Sequence, residues 1–328
     1  MLLKDANPGF EGLKDFVKTG QYEYPYKYKC NLIVMHRQQK QSSYIFVEGQ
    51  NDKDALDKHI DSNCSIETLN IIHKEGKKGI IEFIKCAEEY RWGKNVGLHG
   101  IVGLVDKDFD DRLNEKPRKP PIRAPYISSI TNDLESTILY FSEREVLKKL
   151  QANQQTKMNY WLDLTLDYPE AFDRLVHCVV APIGALRVAW QNSGLARTSL
   201  NLNDVNVISR IWNSANHSQS LNSDDLINLL PSEYSNNEKH RIKVLIQNEL
   251  DKINKQPALE WNYVRGKDLV YSIACALANS SRPLDKHVHL ITKLIIDGFD
   301  SNIIAKCKLK QTIAEATIGD HGNWQYLK

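Results

Sequence analysis

Three carboxylates, Glu48, Asp106 and Asp108, each follow an apolar run rich in β-branched and aromatic residues, YIFVEG at 44–49 and GIVGLVDKDFD at 100–110. Short apolar runs of this kind, bounded by glycine or charge, read as buried strands. In an open parallel sheet ligands bind where the carboxyl ends of the strands emerge, so the three acids are expected to meet at one sheet edge. Asp106 and Asp108 are further expected on one side of an extended segment, because side chains alternate there. Clustered anions repel one another unless a cation neutralises them. An oxygen-only set with few carboxylates suits Mg²⁺ or Mn²⁺, which keep several waters and accept phosphate oxygens.

The elements that must position these acids follow from periodicity. After the first strand, Asn51 or Asp52 is able to cap a helix through about residue 60, with Ala55, Leu56 and Ile60 inward. A second strand fits 67–73. A turn at 76–79 then leads into a helix from 80 to about 92, with Ile80, Ile81, Phe83, Ile84 and Ala87 inward. The third strand is expected at 101–105 and a fourth at 126–130. Strands alternating with helices predict an α/β class with a mostly parallel, Rossmann-like sheet. Thr131 or Asn132 is expected to cap the next helix, which carries Ile138, Leu139 and Phe141 inward and Glu135 in its first turn. Beyond about residue 142 the period is helical, over 143–151, 171–192, 224–230, 238–255, 267–279, 286–297 and 302–317. The expected organisation is an N-terminal arm at 1–40, a catalytic sheet domain at 41–141 and a mainly α-helical C-terminal domain at 142–328. The polar links at 193–202 and 213–223 are expected to be mobile loops.

A formal charge of +2 over 328 residues is too balanced to prove a nucleic-acid partner, so any basic surface has to be local. Lys107, Arg112, Lys116, Arg118, Lys119 and Arg123 lie in one stretch with four prolines, next to the acids. Such a loop is stiff and extended, and cations there would hold the phosphates flanking a scissile bond. The same composition suits a solvated loop equally. Lys77 and Lys78 read more simply as a solvated turn than as a phosphate contact. Tyr22, Tyr24, Tyr26 and Tyr28 alternate with Lys27 and Lys29, and Pro25 favours an edge strand or arm over a base-stacking ladder. The six cysteines show no zinc-ligand spacing and are expected to be reduced thiols. No apolar stretch approaches about 18 residues, so no membrane span and a cytoplasmic location are expected.

Taken together, VEGQND at 47–52 and VDKDFDD at 105–111 resemble a Toprim domain, the metal-binding fold shared by topoisomerases, primases and OLD-type nucleases. The motifs stand in the right order, with room between them for a middle strand and its helices. GKKGIIEFIK at 76–85, TNDLESTIL at 131–139, IGALRVAW at 183–190 and WNYVRGKDLV at 261–270 extend the similarity to Toprim proteins encoded beside an ABC-type ATPase, including effector subunits of PARIS-type anti-phage systems. The resemblance implies that Glu48 is the acid/base or metal-binding glutamate, that Asp106 and Asp108 are metal ligands, and that Asp110 and Glu135 are auxiliary carboxylates. Gly266-Lys267-Asp268 departs from a Gly-His-Asp pattern in such relatives. Lysine does not replace imidazole as a ligand or near-neutral base, which leaves Lys267 as a phosphate contact.

The implied activity is Mg²⁺-dependent endonucleolytic hydrolysis of phosphodiester bonds. In the PARIS-type branch this is a toxin that cleaves transfer RNA when released by its ATPase partner. The preference for RNA over DNA rests on the resemblance alone, and a DNA-nicking OLD-like nuclease and a catalytically silent interaction module stand as alternatives. A topoisomerase would need a nucleophilic tyrosine on a DNA gate, and a primase a zinc module. Long, largely uncharged segments at 176–190 and 269–277 lead to the expectation of a homodimer.

Overall fold

A computed structural model describes residues 43–60, 64–68, 76–89, 101–114, 123–153, 168–195, 220–277 and 284–316. The tyrosine-rich stretch at 21–30, Lys116, Arg118, Lys119 and most of the two polar links lie outside the described residues. The chain divides into two compact units, Met1–Val105 with Pro120–Tyr126 and Lys310–Lys328, and Asp106–Lys119 with Ile127–Leu309. The parting between Val105 and Asp106 falls inside the stretch expected to form one sheet domain.

The first unit is built on β1 (Ser43–Val47), which among the described residues is the central strand of a three-stranded sheet with β2 (Cys64–Thr68) and β3 (Ile101–Gly103) in the order β2-β1-β3. Both pairings are parallel, with Ile45 opposite Ile66 on one side and Val102 on the other. Tyr44, Ile45, Phe46 and Val47 are all buried. Burial on both faces is why this strand reads as an unbroken apolar run. Helix α1 (Gln50–Leu56) starts at Gly49, whose N–H donates to the Asp52 carboxylate at 2.9 Å. It is shorter than expected, giving way to a 3₁₀ turn at Asp57–His59. Helix α2 (Lys77–Glu89) buries Ile80, Phe83 and Ile84 against Tyr44, Phe46 and Ile101, with the Phe46 and Phe83 rings 4.6 Å apart.

Two strand expectations need correcting. The second strand starts at Cys64, three residues before the expected 67, and is described to Thr68, while 69–73 of the expected strand lie outside the described residues. The expected strand at 126–130 is reduced to one parallel bridge between Val105 and Tyr126. Beyond that bridge the Ser128 hydroxyl accepts from the Ile130 N–H at 3.2 Å, a local turn that competes with a ladder.

From Leu134 on, the described part of the second unit is mainly helical. It comprises α3 (Leu134–Asn153), α4 (Tyr168–Leu175), α5 (Ala181–Asn192), α6 (Ser223–Ile227), α7 (Asn236–Lys255), α8 (Gly266–Leu277), α9 (Leu284–Asp297) and α10 (Ser301–Lys306), and α11 (Leu309–Ala316) follows. The expected helix at 143–151 is the continuation of α3 past a kink at Ser142, whose hydroxyl donates to the Ile138 carbonyl at 2.7 Å. The expected helix at 171–192 is interrupted by a π-helical turn at Val176–Val180. The one expected at 302–317 breaks at Lys308, which has φ 56°.

Helix α5 is the buried axis of this unit, with every residue from Ala181 to Trp190 inside. It packs on α7 and on the 3₁₀ segment Pro257–Tyr263. A Cβ at Gly184 would stand 1.8 Å from the Tyr263 carbonyl oxygen, so only glycine allows this approach. The single charge on α5, Arg187, is paired with Asp268 of α8 through Nε to Oδ2 and Nη2 to Oδ1, both at 2.7 Å. Cys64, Cys178, Cys275 and Cys307 are free thiols. Among the described residues no helix is long and apolar enough to cross a membrane.

Candidate functional site

Glu48 directly follows β1, at the carboxyl end of the central strand. Its Oε2 accepts from the Lys77 backbone N–H at 2.8 Å, at the first residue of α2. A carboxylate there satisfies one of the open N–H groups and sits at the positive end of the helix dipole. Glu48 therefore ties the end of β1 to the start of α2, a structural contact in addition to any chemical one. The Lys77 ammonium lies 5.4 Å from the centre of the Tyr126 ring.

The acidic stretch after Val105 is not extended. Asp108 and Phe109 adopt φ values of 49° and 67°, and the chain turns through residues 108–112. The expected alternation that would set Asp106 and Asp108 on one side is lost, because two successive left-handed residues reverse the backbone. Left-handed φ is rare for a bulky residue such as Phe109 and persists only where its surroundings over-determine it. Asn132 supplies that determination. Its carbonyl accepts from Lys107 N at 2.7 Å and Asp108 N at 3.2 Å, and its Oδ1 accepts from Phe109 N at 3.1 Å. Its Nδ2 donates to the carbonyls of Asn262 and Val264, each at 2.9 Å.

Lys107 was expected to face phosphate, and its inward position overturns that. Its side chain is 3 % exposed, with Nζ donating to the Ser129 carbonyl at 3.0 Å and to Asn262 Oδ1 at 3.1 Å, and standing 3.4 Å from Asp111. Burial depresses its pKa, while Asp111 opposes that shift. Arg112 places its guanidinium 5.2 Å from the centre of the Tyr263 ring. The Tyr263 hydroxyl donates to Glu249 Oε2 at 2.6 Å, and burial and this carboxylate push its pKa up. Asn192, at the end of α5, fixes the tail of the turn by donating to the Arg112 carbonyl and accepting from the Asn114 N–H. Asp106, Asp108 and Asp110 are each half-buried, Arg123 is half-buried, and Lys267 is exposed in the first turn of α8.

Asp133, one residue later than the expected caps, opens α3. Its Oδ1 accepts from Ser136 N at 2.9 Å and its Oδ2 from Gly266 N at 2.7 Å. A Cβ at Gly266 would approach Glu135 Cβ to 2.5 Å and Asp133 Oδ1 to 2.6 Å, so α8 starts against α3 only through glycine. Glu135 is buried beside it. Burial, and then the charge of Glu135, push the Asp133 pKa up to about 7.

A carboxyl whose pKa is higher folded than unfolded (about 4) favours the folded state most below pH ~4, and this contribution is lost as pH rises through about 7. The unfolding midpoint of the wild type is therefore expected to fall relative to Asp133→Asn between about pH 4 and pH 7. Parallel pH profiles for the two proteins would contradict this.

Among the described residues no group of three His, Cys, Asp or Glu side chains is arranged to hold a metal ion. Mg²⁺ asks for less, because it commonly binds one or two carboxylates and completes its shell with waters and substrate phosphates. Asp106 and Asp108 offer hard oxygen donors of the type such a one- or two-carboxylate site uses. Sequence reasoning missed Asn132, Asn262 and Asp133 as determinants. The signal for Asp133 was present in the Ser136 that follows it at capping distance, but nothing local marks Asn262, which lies 130 residues from Asn132. Comparison with family models, with curated proteins and with solved structures gives no match for the chain.

Proposed function

We propose that the chain is a metal-dependent nuclease of Toprim type that hydrolyses phosphodiester bonds, with RNA as the favoured substrate. The observation that carries this reading is the parallel pairing of β1 with β3, in which Phe46 lies opposite Gly103. Both strands run out at the same edge of the sheet. Glu48 follows one, and Val105, continued in sequence by the acids at 106–110, follows the other.

Asp106 and Asp108 would hold Mg²⁺ or Mn²⁺ through carboxylate oxygens, with Asp110 and Glu135 as further acids. When bound, the ion polarises the phosphodiester and offsets charge on the leaving oxygen. Glu48 keeps the proton-transfer or ligand role that the resemblance implies. Arg112, Arg118, Lys119, Arg123 and Lys267 are the proposed phosphate contacts, whereas Lys107 stiffens the turn from inside. The ABC-type ATPase partner, the triggered transfer-RNA toxicity and a homodimer belong to this reading through the same resemblance, and light scattering on the isolated chain is expected to report a dimer.

A second reading, a silent Toprim-like interaction module, draws support from the capping contact of Glu48 and from the lack of a three-residue metal group among the described residues. Incubating the purified chain with total RNA and plasmid DNA, in Mg²⁺ or in EDTA, separates these readings. RNA should be shortened in Mg²⁺ alone, and Asp106→Asn or Asp108→Asn should weaken Mg²⁺ binding tenfold or more, on the order seen when metal sites lose a supporting group. Cleavage of plasmid alone would make the protein a DNase. No cleavage together with no Mg²⁺ affinity would leave the interaction module.

A further inference from the structure

The acidic turn is held by one residue that lies outside it in sequence, through its backbone carbonyl and its side chain together. The Asn132 backbone carbonyl accepts from the Lys107 and Asp108 amides, while its side chain accepts from the Phe109 amide through Oδ1 and donates to the carbonyls of Asn262 and Val264 through Nδ2, so alanine at this position removes the side-chain contacts alone. The three amides belong to the stretch where Asp108 and Phe109 take left-handed φ, so the contact lies where the backbone most needs support. Lys107 adds a second tie to the same segment, through Nζ on Asn262 Oδ1.

From this arrangement we infer that Asn132 is a positioning residue. It locks the direction in which Asp108 leaves the turn and refers that direction to the backbone at 262–264. The inference rests on the nuclease reading, in which Asp106 and Asp108 carry the ion. It adds that metal affinity is set by an amide that never touches the metal and by a segment far away in sequence. The amide is suited to this because it accepts with Oδ1 and donates twice with Nδ2. A carboxylate at this position would keep the acceptor but set an oxygen against the two carbonyls.

The test uses the full chain and two readouts that need no catalytic turnover. Hydrogen exchange in the wild type should show the Phe109 amide as slow as the Thr137 amide in the first turn of α3. A freely exchanging Phe109 amide overturns the inference without any variant being made. Asn132→Ala, compared with wild type where circular dichroism shows both folded, should exchange the Phe109 amide at least about tenfold faster and bind Mg²⁺ about tenfold or more weakly by calorimetry. Faster exchange with wild-type Mg²⁺ affinity overturns the positioning role and leaves the nuclease reading standing. A wild-type chain that binds no Mg²⁺ removes both.

Discussion

Arg187→Met is expected to destabilise the protein by about 3–5 kcal/mol, because it strands a buried carboxylate without its counter-charge. The Asp268 side chain is 0 % exposed and the Arg187 side chain 10 %, and their two 2.7 Å bonds form a bidentate pair. Water is not available to Asp268 once the guanidinium is removed. Urea unfolding should show the loss as a lower midpoint with an unchanged slope. The double replacement Arg187→Met with Asp268→Leu removes both charges and fills similar volume, so most of the stability should return. Should the double variant be as unstable as the single one, the cost would lie in packing around α5 and not in the unpaired charge. The pair also gives a physical account of two fragments that carried the family resemblance. IGALRVAW contributes the arginine and the glycine that admits Tyr263, and WNYVRGKDLV contributes Tyr263 and the aspartate. On this account IGALRVAW is interior architecture, and so are the tyrosine and aspartate of WNYVRGKDLV, while Lys267 between them stays exposed.

How much was legible depends on whether the deciding contacts were local. Strand β1 and helix α2 were readable because burial leaves a direct trace, an unbroken apolar run for a strand covered on both faces and a 3.6-residue period for a helix covered on one. Breaks within elements were harder. The kink at Ser142 arises from a hydroxyl choosing the Ile138 carbonyl, and the stop at Lys308 from a single left-handed residue, and neither disturbs the apolar pattern. The bend after Tyr126 was missed for a related reason, since residues 126–130 have strand-like composition while Ser128 satisfies backbone donors locally. The acidic turn was the largest misreading. Alternation is the right expectation for a strand that continues past Val105, but Asn132 captures three successive amides and is itself held by carbonyls more than a hundred residues further on. Arg187 and Asp268, 81 residues apart, show the same limit. Residue types at such positions are visible, whereas their partners are fixed only by the packed fold.

Glu48→Gln is expected to lower phosphodiester hydrolysis by about 10²–10⁴-fold if Glu48 transfers a proton in the reaction. The substitution is informative because this residue has two possible functions that respond differently to it. As an anchor, Glu48 needs only an acceptor oxygen for the Lys77 N–H, now at 2.8 Å, and a glutamine amide oxygen supplies one. As a proton carrier or metal ligand it needs the ionisable carboxylate, which glutamine lacks. Glu48→Gln should therefore melt close to the wild type, whereas Glu48→Ala, which leaves the start of α2 uncapped, should lose about 1 kcal/mol. A stable, inactive glutamine variant beside a less stable, inactive alanine variant would assign both roles to one side chain. A glutamine variant that cleaves at the wild-type rate would reduce Glu48 to a helix anchor and shift the weight of the chemistry onto the acids of the 106–110 turn.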